Sequence, residues 1–273
     1  MSIDLDAYFK RIGYGGARKP ALETLRALNR LHPQAIPFEN LDPLLGRPVP
    51  LDAAALEDKM VRQGRGGYCF EQNLLFAEVL RTLGFKLRIL TGWPRLGISP
   101  DTPRPRTHVL ILVEADGEEW IVDVGFGGNT LTAPLLLKSR DAQPTPHEPA
   151  RLRATETGLM VQAEIGGEWR DLVEFDLSRQ SFAELEMGNW YTSTYPRSRF
   201  RNELFAARAF EGGRYGMLDN VLSTHRLGQP SERRVLKDAA EIRAALTDLF
   251  KIRLPQADLE SLLRRFVSGK APS

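Results

Sequence analysis

Residues 65–90 read RGGYCFEQNLLFAEVLRTLGFKLRIL, and a change of period inside them sets the fold class. From Cys69 onward the apolar positions Phe70, Leu74, Val79, Leu80 and Leu83 recur at helical spacing, and Gly84 suits the left-handed position that ends a helix. Beyond Gly84 the period drops from about 3.6 to about 2. There Phe85, Leu87 and Ile89 alternate with Lys86 and Arg88, as in a half-buried strand. Helical patterning before this point and strand patterning after it predict an α+β chain.

On the N-terminal side, Leu5, Tyr8, Phe9 and Ile12 mark a helix over 4–12. Pro20 is in position to open a second helix carrying Leu22, Leu25, Leu28 and Leu31, and Asp52 to cap a third that stops near Gly64. On the C-terminal side, a proline-rich connector over 94–105 leads to β-rich runs at Thr107–Glu114 and Glu119–Val124. Arg151–Thr155, Leu159–Ile165 and Trp169–Phe175 follow, short strands whose spacing suits an antiparallel sheet or barrel. Ser181-Phe182-Ala183-Glu184 is a capping box, predicting a short helix to Gly188, with Trp190–Phe200 as a connector. Strands at Leu204–Phe210 and Val221–Arg226 and helices at Ala239–Phe250 and Gln256–Val267 complete the pattern.

Composition narrows the function. Thirty-seven basic against thirty-five acidic residues leave a net charge of +2, which gives no electrostatic case for a nucleic-acid partner. A modest cluster, Arg197, Arg199 and Arg201, reads as a solvated face or as the contact for a phosphorylated ligand. One cysteine excludes an intrachain disulfide framework and a multi-cysteine zinc site, so no metal is expected, and a free thiol suits a reducing cytoplasm. Met1–Asp6 lacks a basic region and an apolar run, so no secretory leader is expected, and no window is apolar enough for a membrane span.

That cysteine, Cys69, follows a tight Gly66-Gly67 loop and heads a helix, whose partial positive charge favours thiolate over thiol. Free cysteines are more often small buried hydrophobes, so a partner decides. Asp116-Gly117 between β-rich runs is the strongest short hairpin signal. A two-residue loop there sets Ala115 opposite Glu118, Leu110 opposite Asp123 and His108 opposite Gly125. His108 and Asp123 are then diagonal neighbours on one face, roughly 7–8 Å apart at Cα. An aspartate among Ile121, Val122 and Val124 is costly unless bonded, and the imidazole satisfies it. Cys–His–Asp is a nucleophile, its base and the carboxylate that orients the base, with helix-start amides as part of an oxyanion hole. Of the other histidines, His32 reads as a capping or surface residue before Pro33, His147 as part of a surface loop over 143–149, and His225 as a candidate ligand contact in a late strand. Gly125-Phe126-Gly127-Gly128 and Gly13-Tyr14-Gly15-Gly16 fall short of nucleotide-binding spacings.

Five segments together resemble the arylamine N-acetyltransferase family: Pro37–Asp42, Arg65–Asn73, Thr107–Val109, Val122–Gly127 and Asn189–Pro196 with Ser198 and Phe200. They occur in the family's order over positions 37–200. The resemblance implies a helical bundle over 1–84, a β-barrel-like domain over 85–190 and an α/β lid over 191–273, with a cysteine-protease-like core. It implies that Cys69 takes acetyl from acetyl-CoA and passes it to an arylamine, arylhydrazine or N-hydroxyarylamine, with His108 as base and Asp123 as its orienter. It further implies an Arg65–Glu39 ion pair supporting the cysteine loop, and Phe38, Phe126 and Phe200 around the aromatic acceptor. Thr107, Phe126, Gly127 and His225 are expected near CoA, in a cytoplasmic monomer or homodimer with no membrane or nucleic-acid partner. Two rivals use the same triad: a hydrolase, and an amide synthase closing a macrolactam.

Overall fold

The computed structural model describes residues 3–99, 102–253 and, near the C-terminus, 260, 262, 263, 265 and 266. Most of the expected helix Gln256–Val267 therefore lies outside the described residues.

The N-terminal third is helical. Helix α1 (Leu5–Ile12) is capped by Asp4 and ends at Gly13 in the left-handed region. Helix α2 (Leu22–Ala35) begins after Ala21, so Pro20 stands outside it, and it continues through Pro33. Strand β1 (Phe38–Glu39) and the short helix α3 (Leu41–Leu45) escape the sequence pattern because each is only a few residues long. Asp52 caps α4 (Ala53–Glu57), which runs on as one π-helical turn through Arg62. Helix α5 (Cys69–Thr82) is almost wholly buried, and Gly84 follows it at φ +90°.

A seven-stranded antiparallel sheet follows. In chain order it comprises β2 (Lys86–Pro94), β3 (His108–Ala115), β4 (Glu118–Val122), β5 (Leu135–Leu136), β6 (Ala150–Ala154), β7 (Leu159–Ile165) and β8 (Glu168–Phe175). Its spatial order is β5-β4-β3-β2-β8-β7-β6. Gln143 nearly closes it into a barrel: its backbone pairs with Ala150 of β6, and its side chain bonds both N–H and C=O of Leu136 in β5. The segment expected as a surface loop is thus the seam of the barrel. Asp116 and Gly117 take φ of +51° and +79°, and the β3–β4 register from Ala115↔Glu118 to Ile111↔Val122 follows from that two-residue turn. Strand β3 is buried on both faces. Val109, Ile111 and Val113 pack in the cluster that contains α5, while Leu110 and Leu112 fill the barrel interior with Leu90, Ile121 and Phe175. Each such side chain contributes about 1.5–3 kcal/mol on burial, so strand and helix are locked to each other.

Ser181 caps α6 with Glu184 as the sequence predicts, but α6 (Phe182–Thr194) runs six residues past Gly188 and spans position 190. The expected connector is therefore mostly helix, completed by the short α7 (Arg199–Asn202). The last lobe adds β9 (Phe205–Phe210), β10 (Gly213–Leu218), β11 (Val221–Arg226), β12 (Glu232–Val235) and α8 (Ala239–Ala244). Its five-stranded sheet has the order β1-β9-β10-β11-β12, so the segment just before α3 is sewn to the C-terminal lobe. Among the described residues no helix is long and apolar enough to cross a membrane.

Candidate active site

The loop before Cys69 is held from three sides. Gly67 accepts from Glu39 N–H at 3.0 Å and donates to Pro37 O at 3.3 Å, a bridge to β1. Gln72, one turn into α5, donates to Pro37 O at 2.7 Å and Gly67 O at 3.1 Å. Gly66 lies so close to Pro37 that a Cβ there would stand 2.0 Å from its carbonyl oxygen, which excludes any larger residue.

Beneath the loop sits a largely buried cluster of five ionisable groups. Arg65 donates to Glu39 at 2.8 Å and Asp42 at 3.2 Å; Lys59 contacts Asp42 at 2.5 Å and Glu71 at 2.6 Å. Glu71 also accepts Tyr68 N–H at 3.1 Å, and Glu39 accepts Leu41 N–H at 2.7 Å. Burial raises the Glu71 carboxyl, Lys59 opposes this, and nearby Glu39 and Asp42 add to it, leaving a pKa of about 7. Burial would also raise Asp42, but Lys59 and Arg65 outweigh it and hold Asp42 below the usual carboxylate range. The resemblance pointed to Arg65 and Glu39 alone; Asp42, Lys59 and Glu71 complete the set.

Cys69 Sγ lies 3.4 Å from Thr107 O, at the entry to β3. His108 Nε2 lies 2.6 Å from Asp123 Oδ2, which leaves Nδ1 as the ring nitrogen not engaged by the carboxylate. All three side chains are nearly inaccessible. Burial by itself would depress His108; the Asp123 carboxylate, aided by Cys69, more than reverses this and raises its pKa to about 10. The imidazole therefore holds a proton at neutral pH. Asp123 Oδ1 accepts from Asn73 Nδ2 and Gly125 N–H, both at 2.9 Å. Asn73 further donates to Val109 O at 2.7 Å and accepts Val124 N–H at 3.0 Å. Asn73 is four residues after Cys69, so one face of α5 serves both the sulfur and the carboxylate. That spacing was visible in the sequence and its use was not. Gly125 fits between them: a Cβ there would lie 2.8 Å from Asn73 Nδ2 and 3.0 Å from Cys69 Cα.

Cys69 and His108 open onto a cleft of about 490 Å³ between the barrel and the C-terminal lobe. Phe38, Thr107, Phe126, Gly127, Phe200 and His225 all line it, while the buried Glu39 and Arg65 do not. The Phe126 ring meets His108 edge-on at 5.1 Å between centroids. Phe200 packs at 6.2 Å from Phe38 and 5.4 Å from Tyr68, giving the cleft an aromatic floor beside the sulfur. His225 Nδ1 bonds Ser231 at 2.5 Å, and burial followed by Arg214 lowers its pKa.

Two histidines differ from expectation. His32 is fully buried, bonded to Tyr8 at 2.8 Å and Gln72 at 2.7 Å; burial drives its pKa down to about 4. His147 is buried too, reaching Thr132 at 3.0 Å and the carbonyls of Phe210 and Gly213 at 3.0 and 2.8 Å, so it ties barrel to lid. Among the described residues no cluster of histidine, cysteine, aspartate or glutamate is arranged to hold a metal ion.

Residues 21–259 match the family model described as N-acetyltransferase. The chain is 40% identical over its full length, and over the relative's full length, to an arylamine N-acetyltransferase of Mycobacterium tuberculosis. It is also 40% identical, over 92% of this chain and 89% of the relative, to a Salmonella typhimurium protein named arylamine N-acetyltransferase / N-hydroxyarylamine O-acetyltransferase. The solved structure of Mycobacterium marinum arylamine N-acetyltransferase in complex with CoA superimposes with a TM-score of 0.92 at 40% identity, over 96% of this chain and 99% of that one. The helical bundle, barrel-like sheet and α/β lid correspond to the cysteine-protease-like fold of these neighbours.

Proposed function

The chain belongs to the arylamine N-acetyltransferase family, and from that premise we propose that it moves acetyl from acetyl-CoA to an aromatic amine, hydrazine or N-hydroxyarylamine through an acetyl-Cys69 thioester. In the first half-reaction His108 holds the proton of Cys69, and the thiolate attacks the donor's thioester carbonyl. The N–H groups in the first turn of α5 have no acceptor one turn back and are donors for the developing oxyanion. The tetrahedral intermediate collapses, the bond to the CoA sulfur breaks, and His108 returns the proton to the departing thiolate. In the second half-reaction the amine nitrogen attacks acetyl-Cys69, His108 takes its proton, and the cysteine leaves as thiolate. The products are CoA thiol and the acetylated amine, a ping-pong sequence with no metal.

The observation that carries this reading is the His108 Nε2 bond to Asp123, with His108 and Cys69 lining the same cleft. Asp123 fixes the ring and stabilises the imidazolium. The half-buried phenylalanines Phe38, Phe126 and Phe200 supply apolar faces for an aromatic acceptor. Thr107, Phe126, Gly127 and His225 border the path of the donor. Glu39 and Arg65, with their buried neighbours, fix the loop that presents the sulfur. We read three lobes, 1–84, 85–190 and 191–273, with the thiol from the first and the imidazole and carboxylate from the second. A cytoplasmic location accords with a thiol that must stay reduced.

A panel of aromatic amines and hydrazines with acetyl-CoA, followed by CoA release, tests this reading. Amine-dependent release with acetylated amine as product is expected. Release that ignores the amine and yields acetate would make the protein a hydrolase. Acceptance of only long carrier-bound chains would make it an amide synthase.

A further inference from the structure

The cleft is electrostatically one-sided. Acids and bases are nearly balanced in the whole chain, yet the described residues that line the cleft include three arginines and not one aspartate or glutamate. Arg199 is neutralised by Glu203, which its Nε meets at 2.8 Å. The other two, Arg104 and Arg197, have no carboxylate partner among the described residues. Arg104 stands exposed in the connector between β2 and β3 and makes no hydrogen bond or ion pair among the described residues. Arg197 lies in the turn between α6 and α7, where its Nε donates to Tyr195 Oη at 2.8 Å and its guanidinium rests over that ring at 5.5 Å. The tyrosine aims the group and does not cancel its charge.

The two arginines approach from neighbouring elements. Helix α6 packs on the connector so closely that a Cβ on Gly188 would lie 3.1 Å from Arg106 O, two residues beyond Arg104. Arg106 itself is occupied by Asp176, and Arg201 of the sequence cluster does not line the cleft. Both guanidiniums border one cleft with no carboxylate among its described lining residues, which is the charge and fork geometry that suits a phosphate or diphosphate group.

We propose that Arg104 and Arg197 together bind the phosphate groups of the acyl donor, and so select CoA over donors that carry the same thioester without phosphates. The proposal rests on the reading of the site as acetyl-CoA-dependent and extends it to the residues that recognise the far end of the donor. The aromatic floor beside Cys69 then remains for the acceptor, and the positive charge stays at the opening, where it also draws an anionic donor inward.

The test compares acetyl-CoA with S-acetylpantetheine, which keeps the thioester arm and lacks every phosphate. The readout is the ratio of kcat/KM values for acetylation of Cys69 by the two donors. For R104A/R197A that ratio is expected to fall about tenfold, the product of two partly exposed charge pairs, and R104E/R197E should lower it further. R201A, outside the cleft, should leave it where it was. An unchanged ratio overturns the proposal, as does an equal loss with both donors, since the arginines would then not be reading phosphate. A change confined to carboxylate-bearing acceptors, with the donor ratio constant, also overturns it and assigns the arginines to the amine. If the unaltered protein takes acetyl from neither donor, the underlying reading of the site fails; if it takes acetyl from both and the ratio ignores the arginines, only this assignment fails.

Discussion

Asp123→Asn separates the carboxylate's charge from its shape. The amide oxygen can keep the two bonds that Asp123 Oδ1 accepts from Asn73 and Gly125, so the turn after β4 stays in place. The change falls on the other atom. An NH2 group now faces His108 Nε2, which must become an acceptor, and the ring's single proton is forced onto Nδ1, opposite the sulfur. That tautomer cannot take a proton from Cys69. Without the carboxylate, burial acts unopposed and His108 drops from about 10 to below its ordinary value of about 6.5. Loss of a charged hydrogen bond should cost about 1.5–3 kcal/mol of stability, while the wrong tautomer should cost about 10³–10⁴ in turnover. Two assays read this out: acetyl transfer at saturating donor, and the pH dependence of thiol alkylation. The sign of the stability effect is also fixed. A histidine raised in the folded state contributes its stability fully below about pH 6.5 and loses it as pH rises through about 10. The advantage of Asp123 over Asn should therefore shrink across that window. A folded Asn variant with turnover within tenfold of the unaltered protein would refute the assignment of Asp123 as the group that orients the base.

Two further outcomes follow from the buried polar groups. Glu71, with a folded pKa of about 7 against an unfolded value near 4.3, costs stability as pH rises between them, because the folded state alone keeps the proton. Glu71→Gln should therefore flatten the fall in chemical-denaturation stability over that range; an unchanged slope would remove Glu71 as its source. His32, held neutral down to about pH 4, contributes stability that is complete above about pH 6.5 and is lost as pH falls towards 4. His32→Gln should be less stable at neutral pH, by about 1–3 kcal/mol for the disturbed pair of buried bonds, and should show a shallower acid limb, whereas an acid limb identical to that of the parent would show that another group sets it.

Local chemistry made much of this molecule legible. Asp116-Gly117 fixed a register, and that register carried His108 to Asp123 without any knowledge of what lies around them. The period change at Gly84 located the junction of helix and sheet. What stayed hidden depends on partners distant in the chain. His32 reads as a helix-end residue until Gln72, forty positions away, is seen to meet it. His147 looks like loop chemistry until carbonyls more than sixty positions on accept its proton. Helix α6 continues past Gly188, and the glycine that reads as its end instead lies against Phe70 and Arg106, a packing role that no helix propensity encodes. Strand β12 is exposed and polar, so it carries no apolar alternation to be read. The phenylalanines that line the cleft came only through resemblance, since a phenylalanine facing a cleft and one facing a core look alike in sequence.

The most direct test of the account is intact-mass analysis after mixing with acetyl-CoA alone, with peptide mapping of any adduct. One acetyl group on Cys69, released when an aromatic amine is added and absent in Cys69→Ser, is the predicted result. Turnover of donor and amine with no acetyl enzyme formed in a single turnover, or an adduct mapped to any other residue, would contradict it.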